Sequence, residues 1–147
     1  MGKTGKNNKG FTLGELVLVF GILMAVGAAL APLVRYNQIR LSRINCSNNL
    51  REIGLAMYIY ARENGGNFPQ SLSTLYEEQY LADRGIMDCP ASKRVGTPEQ
   101  PDYEYKPGLS VRSPSQDVLV GDDGGNHSGA GRNVLLVDGE VLWVRDR

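Results

Sequence analysis

Lys9-Gly10-Phe11-Thr12-Leu13-Gly14-Glu15-Leu16 opens an apolar run that continues to Val34. The nineteen residues from Leu16 to Val34 carry no charge. At about 1.5 Å rise per residue, a helix of that length matches the ~30 Å hydrocarbon core of a bilayer, so one transmembrane helix is expected. A secretory signal has a shorter apolar region, about 7–15 residues, with its cleavage site after it. Here the small residue, Gly10, comes first, and a cut there leaves the helix on the mature chain. Glu15 is the anomaly of the segment. A carboxylate costs about 2.5–3.5 kcal/mol at the bilayer centre and less near the interface. Cutting after Gly10 would give Phe11 a new α-amino group, cationic at neutral pH with an ordinary pKa of about 8. That amine and Glu15 could neutralise each other, within one chain or between neighbours. The alternative is a Glu15 that reaches water unaided.

Working outward, the helical pattern continues past Val34 with no stop signal before Asn64-Gly65-Gly66. Cys46, Leu50, Ile53, Met57 and Tyr60 recur at spacings of four and three, one face of an amphipathic helix, with Arg43, Asn48, Arg51, Glu52 and Arg62 off that stripe. The expected element runs from about Leu13 to Glu63, roughly 75 Å, half of it anchor and half packing surface. Pro32 lies inside it, lacks one backbone N–H and crowds the preceding turn, so either a kink or a segment able to extend is expected. Thr74 and Glu77 have capping-box spacing, which places a short helix near 71–80. Residues 83–107 read as loop, with Tyr103-Glu104-Tyr105 as a candidate short strand. Strands are expected at 117–120, 133–137 and 140–144, the last two joined by Asp138-Gly139, a strong hairpin signal. Leu135, Val137, Val141 and Trp143 would then cover the apolar stripe of the long helix. The fold class expected is α+β, a long helix packed on a small antiparallel sheet.

The stretch from Gly10 to Glu15, with the acid four residues after Phe11, resembles the cleavage signal of type IV pilins and type II secretion pseudopilins. A second block, Cys46-Ser47-Asn48-Asn49-Leu50-Arg51-Glu52-Ile53-Gly54-Leu55-Ala56 with Tyr58, Tyr60 and Asn67-Phe68-Pro69, is similar to the post-anchor helix of prepilin-like proteins that end in a His…Asp-Gly motif. His127, Asn133 and Asp138-Gly139-Glu140-Val141 resemble that ending. They depart from it by one extra residue between His127 and the Asp-Gly pair, and by Glu140 where a His is common. The resemblance implies a leader at 1–10, a membrane and filament-core helix at 11–34 and a head at 35–147. It also implies cutting after Gly10 by a prepilin peptidase, N-methylation of Phe11, and a role for Glu15 in assembly. Partners would be other pilin-like subunits, of the same or different chains, and a membrane assembly platform.

The 16 basic and 16 acidic side chains balance, and Lys3, Lys6 and Lys9 belong to the leader, so the cut chain would be slightly acidic. Nothing in that balance supports nucleic-acid binding. Arg35, Arg40 and Arg43 match the three leader lysines, leaving the positive-inside rule tied. The resemblance breaks the tie: the leader would be cytoplasmic and the head outside, in the periplasm or at the cell surface once in a filament.

Cys46 and Cys89 are the only cysteines. In an oxidising compartment they would form a disulfide; otherwise they are two buried thiols. Asp117, Asp122, Asp123, Asn126 and Asp138 gather oxygen donors around a Gly-rich loop at 121–131. A hard cation such as calcium needs such donors, and a solvated acidic loop is the alternative. His127 beside Ser128 lacks any oxyanion partner, so no enzyme activity and no catalytic residue is expected. Pilus, secretion and DNA-uptake filaments are not distinguished, and a monomeric anchored binding domain remains the rival reading.

Overall fold

The computed structural model describes residues 12–127 and 129–145, arranged as two compact units, Met1–Asn37 and Gln38–Arg147. Helix α1 (Leu13–Glu63) begins in the first and supplies the central helix of the second. Within the first unit every described side chain is exposed, including Leu16, Leu18, Phe20, Leu23 and Leu33. The helical assignment continues through Pro32. A soluble core helix of this length would bury such residues, whereas this one is long and apolar enough to cross a membrane and buries none of its apolar window.

In the second unit α1 turns a stripe inward. Cys46, Leu50, Ile53, Met57 and Ala61 are fully buried, at the helical spacings the sequence shows. The helix stops as expected, with Gly65 at φ +66° and the Gly66 N–H reaching back to the Ala61 carbonyl at 2.7 Å. That five-residue closure is a Schellman end, which an αL glycine adopts without strain.

The short helix α2 (Leu72–Glu77) forms inside the expected range, but its cap differs. Ser71, not Thr74, is the N-cap, accepting from the Thr74 N–H at 3.4 Å. Thr74 therefore sits one turn inside the helix, because Leu72 and Leu75 must both face the core and only a start at Ser71 aligns them. A further turn of 3₁₀-helix, Arg84–Met87, lies in the segment read as loop; Asp83 caps it through Gly85 N–H at 2.8 Å.

Strands β1 (Tyr103–Tyr105), β2 (Val118–Asp122), β3 (Arg132–Leu136) and β4 (Val141–Val144) form an antiparallel meander in chain order. The fold is α+β, a long helix against a small antiparallel sheet. β2 extends two residues beyond the expected strand, so Gly121 and Asp122 belong to the sheet and not to the glycine-rich loop. The β3–β4 turn is longer than an Asp-Gly pair. Gly139 N–H bonds the Leu136 carbonyl at 3.0 Å and Leu136 N–H bonds the Glu140 carbonyl at 2.9 Å. The loop is thus Val137-Asp138-Gly139, a type I turn followed by glycine at φ +88°. A two-residue turn of the favoured type would require Asp138 as well at positive φ, and only Gly139 adopts it.

Leu135 and Val137 join the core against α1, and Val141 packs at its edge. Helix and sheet pack tightly at Gly54, where a Cβ would lie 3.1 Å from the Leu135 methyl groups. Tyr58 donates to the Val137 carbonyl, a second link between helix and sheet.

Tyr103 and Tyr105 in β1 carry a pH signature. Burial pushes both phenols up, Tyr105 to about 12. A group whose folded pKa is raised contributes stability that is intact below its unfolded value, about 10 for tyrosine, and is lost as pH rises through the folded value. Unfolding free energy of the head, from urea melts at stepped alkaline pH, should therefore start to fall near pH 10 and keep falling to about pH 12. A Tyr105→Phe chain should fall less over that window.

Candidate functional site: the start of the anchor helix and a buried sulfur, histidine and carboxylate cluster

At the head of α1, Thr12 and Glu15 bind each other reciprocally. Glu15 Oε2 accepts from the Thr12 N–H at 2.8 Å and from Thr12 Oγ1 at 3.0 Å, while Thr12 Oγ1 accepts from the Glu15 N–H at 3.3 Å. This is a capping box, and it sets a negative charge at the positive end of the helix dipole. The signal is present in the sequence as Thr12-x-x-Glu15, a capping-box spacing distinct from any pairing of Glu15 with a terminal amine. Both residues are exposed, so the carboxylate is available from outside its own chain. Gly10 and Phe11, the expected cleavage and methylation positions, lie outside the described residues.

The second constellation lies in the head, where α1, the Cys89 loop and β2–β3 meet. Cys46 and Cys89 form a disulfide with Cα atoms 5.3 Å apart, inside the ordinary range. Closing a 43-residue separation, it contributes about 2–4 kcal/mol to a small domain. Cys46 reaches it from the buried stripe of α1, and Cys89 is held by its own N–H, which donates to Asp102 Oδ2 at 3.3 Å. Arg94 stands 3.1 Å from Asp102 Oδ1, close enough to compensate the charge but not aligned as a hydrogen bond.

Against the disulfide lies His127, with Nε2 3.8 Å from Cys89 Sγ and 2.8 Å from Asp122 Oδ2. Asp122 is fully buried, and three donors converge on it. Asn133 supplies its backbone N–H to Oδ1 and its amide to Oδ2, both at 2.9 Å, and His127 supplies the third. A buried carboxylate without such donors would cost several kcal/mol. Asn133 also reaches the Arg43 carbonyl on α1 at 3.3 Å. Trp143 of β4 closes the outer side: its ring meets His127 edge to face at 5.4 Å, and the Arg43 guanidinium lies 3.8 Å from its centroid. His127 takes φ +46°, an unusual backbone state for a non-glycine residue, and its Nδ1 has no partner among the described residues.

Cys46 Sγ, Cys89 Sγ, an oxygen of Asp122 and a ring nitrogen of His127 all lie within 4.8 Å of one another, and all four residues are buried. The sequence placed Asp122 with the loop acids and left His127 without a role. A signal for their meeting was present: alternation from Val120 puts Asp122 on the core-facing side of β2, where an acid requires buried donors.

Of the five oxygen-donor residues weighed for calcium, Asp122 alone enters this group. Asp123 is exposed, and its carboxylate accepts from the Gly125 N–H at 2.9 Å. Asp138 serves the hairpin, accepting from the Glu140 N–H at 3.0 Å and from Gln116 at 3.4 Å. Asp117 holds the same hairpin through its carbonyl, which accepts from the Val137 N–H. Asn126 is buried beside the turn that Asp123 starts. Asp123 and Asp138 thus bind their own backbone turns, and among the described residues the five form no shared cage.

Comparison with protein-family models, with curated proteins and with solved structures gave no match for this chain.

Proposed function

We propose that this chain is a structural subunit of a type IV pilus-like or type II secretion-like filament, cut after Gly10 by a prepilin peptidase and N-methylated at Phe11. One observation carries the reading: a membrane-length uncharged helix, exposed throughout, starts at an acid and runs without a break into the core helix of a folded head. A cleaved signal peptide would not share its helix with the domain behind it. In the inner membrane the helix holds the subunit, with the head outside the cytoplasm. In the filament the segment 11–34 packs, through the apolar surface that is exposed from Leu13 to Val34, against helices of neighbouring subunits, of this chain or related ones. Glu15 then meets the terminal amine of a neighbour, exchanging its local cap on Thr12 for an ion pair in a dry core. The platform that extracts subunits supplies the assembly step, and no catalytic role enters.

Mass spectrometry of the membrane-extracted chain should find Phe11 as the first residue, carrying a methyl group. Gly10→Val should retain the leader and yield no filament in sheared surface material viewed by electron microscopy. A wild-type chain that still begins at Met1, or filaments formed equally well by Gly10→Val, would overturn the proposal. A monomeric anchored binding domain would show neither processing nor fibre.

A further inference from the structure

We propose that in its dithiol form the head binds one thiophilic divalent cation, of the zinc type, through Cys46 Sγ, Cys89 Sγ, His127 Nε2 and Asp122 Oδ2. The disulfide and the metal would be two alternative staples of one site. The inference stands on the head alone and is independent of the filament reading.

The donor set is the first support. Two sulfurs, one imidazole and one carboxylate are a combination that zinc accepts in four-coordinate sites. Their spacing is the second. With Zn–S of about 2.3 Å and Zn–N or Zn–O of about 2.0–2.2 Å, ligand atoms on a tetrahedron stand roughly 3.3–3.8 Å apart. Cys89 Sγ to His127 Nε2 is already 3.8 Å, and the four ligand atoms lie within 4.8 Å of one another. His127 Nε2 and Asp122 Oδ2, at 2.8 Å, would separate by about half an ångström. The sulfurs would part from a bonded distance of about 2.05 Å to roughly 3.8 Å, a movement that side-chain rotation supplies.

The surroundings are those of a supported site. Asn133 fixes the Asp122 carboxylate with two donors, the kind of outer contact that orients metal ligands. His127 is 3% exposed, held at positive φ, with its ring nitrogen aimed at both Cys89 and Asp122. A recess of about 150 Å³ is lined by Gln38, Ile39, Ser42, Ala91 and His127, so one of the four ligand residues borders a cavity. Calcium would not suit this set, because it requires six or more oxygens.

The chemistry balances in both directions. The chain leaves the ribosome with two thiols; binding M²⁺ releases both thiol protons and any proton on Nε2 to solvent, and no electrons move. From the disulfide, a dithiol reductant supplies two electrons and two protons and becomes a disulfide itself, after which the same metal step follows.

The test uses the full chain in detergent micelles, reduced without oxygen by a water-soluble phosphine, which becomes its oxide by taking an oxygen from water. Titration with Co²⁺ should give one equivalent with tetrahedral visible bands and a thiolate-to-cobalt charge-transfer band, both bleached by Zn²⁺. The unreduced chain should show neither. His127→Ala and Asp122→Asn should each weaken Co²⁺ binding about tenfold or more, while exposed Asp123→Ala leaves it unchanged. If the reduced chain without metal is unfolded, Zn²⁺ must restore its circular dichroism and a cooperative melt. Absence of the thiolate band in a folded reduced chain overturns the proposal. So does failure of Zn²⁺ to refold an unfolded one, and so does an affinity that neither variant alters.

Discussion

Asp122→Ala should lower the stability of the head by about 3–5 kcal/mol, the typical loss when one partner of a buried charged network is removed. The expected fall in melting temperature is roughly 10–25 °C for a domain of this size, read by circular dichroism of the detergent-solubilised chain. The cause is what remains behind. Two donors of Asn133 and one of His127 point at the vacated space, all of them buried. Asp122→Asn keeps the volume and one acceptor oxygen and should lose less. Asp123→Ala, one residue along but exposed, should stay within about 0.5–1 kcal/mol of the parent, since it loses only a turn contact. Equal losses for Asp122→Ala and Asp123→Ala would mean that the buried network contributes nothing specific.

Glu15→Ala should leave cleavage after Gly10 intact yet reduce incorporation into filaments at least tenfold. In a single subunit Glu15 binds Thr12 and caps the start of α1. In a packed helical core the same carboxylate would face a neighbour's amine in a medium far less polar than water. Leaving that amine unpaired costs about 2.5–3.5 kcal/mol, well over a factor of ten in an assembly constant. The ratio of subunit in sheared fibres to subunit in membranes measures it, and processed mass checks the cleavage. A Thr12→Ala chain separates the two roles, because it removes the local cap and leaves the acid. Its incorporation should change little, and if Glu15→Ala also assembled normally, the pairing would be excluded.

How much of this was legible beforehand depends on the distance over which each feature is decided. The bounds of α1 were readable because an uncharged run, a four-and-three stripe and a double glycine all act locally, and they agree with the observed Leu13–Glu63. The Cys46–Cys89 bond was an open alternative that the structure closes, since only folding could bring Cys89 within 5.3 Å of α1. The cap of α2 was misread because Thr74 and Glu77 have the right spacing, yet Leu72 and Leu75 fix the start of the helix through contacts far along the chain. Asp122 was grouped with loop acids because glycines surround it. Its burial follows from a bond to Asn133, eleven residues later and on another strand. His127 likewise acquires meaning only when the Cys89 loop arrives against it. Local patterning settled the helices and the hairpin, whereas the polar cluster is assembled from four segments, and no single window of sequence contains it.

Trp143 is the only tryptophan in the chain; the Arg43 guanidinium lies over its ring and the His127 ring meets it edge to face, one residue removed from the disulfide. A disulfide quenches an excited indole. The molecule therefore carries its own optical gauge: emission from this one fluorophore will brighten when β4 lifts from the long helix or when the sulfur–sulfur bond opens. No dye need be attached to follow either event in the purified chain.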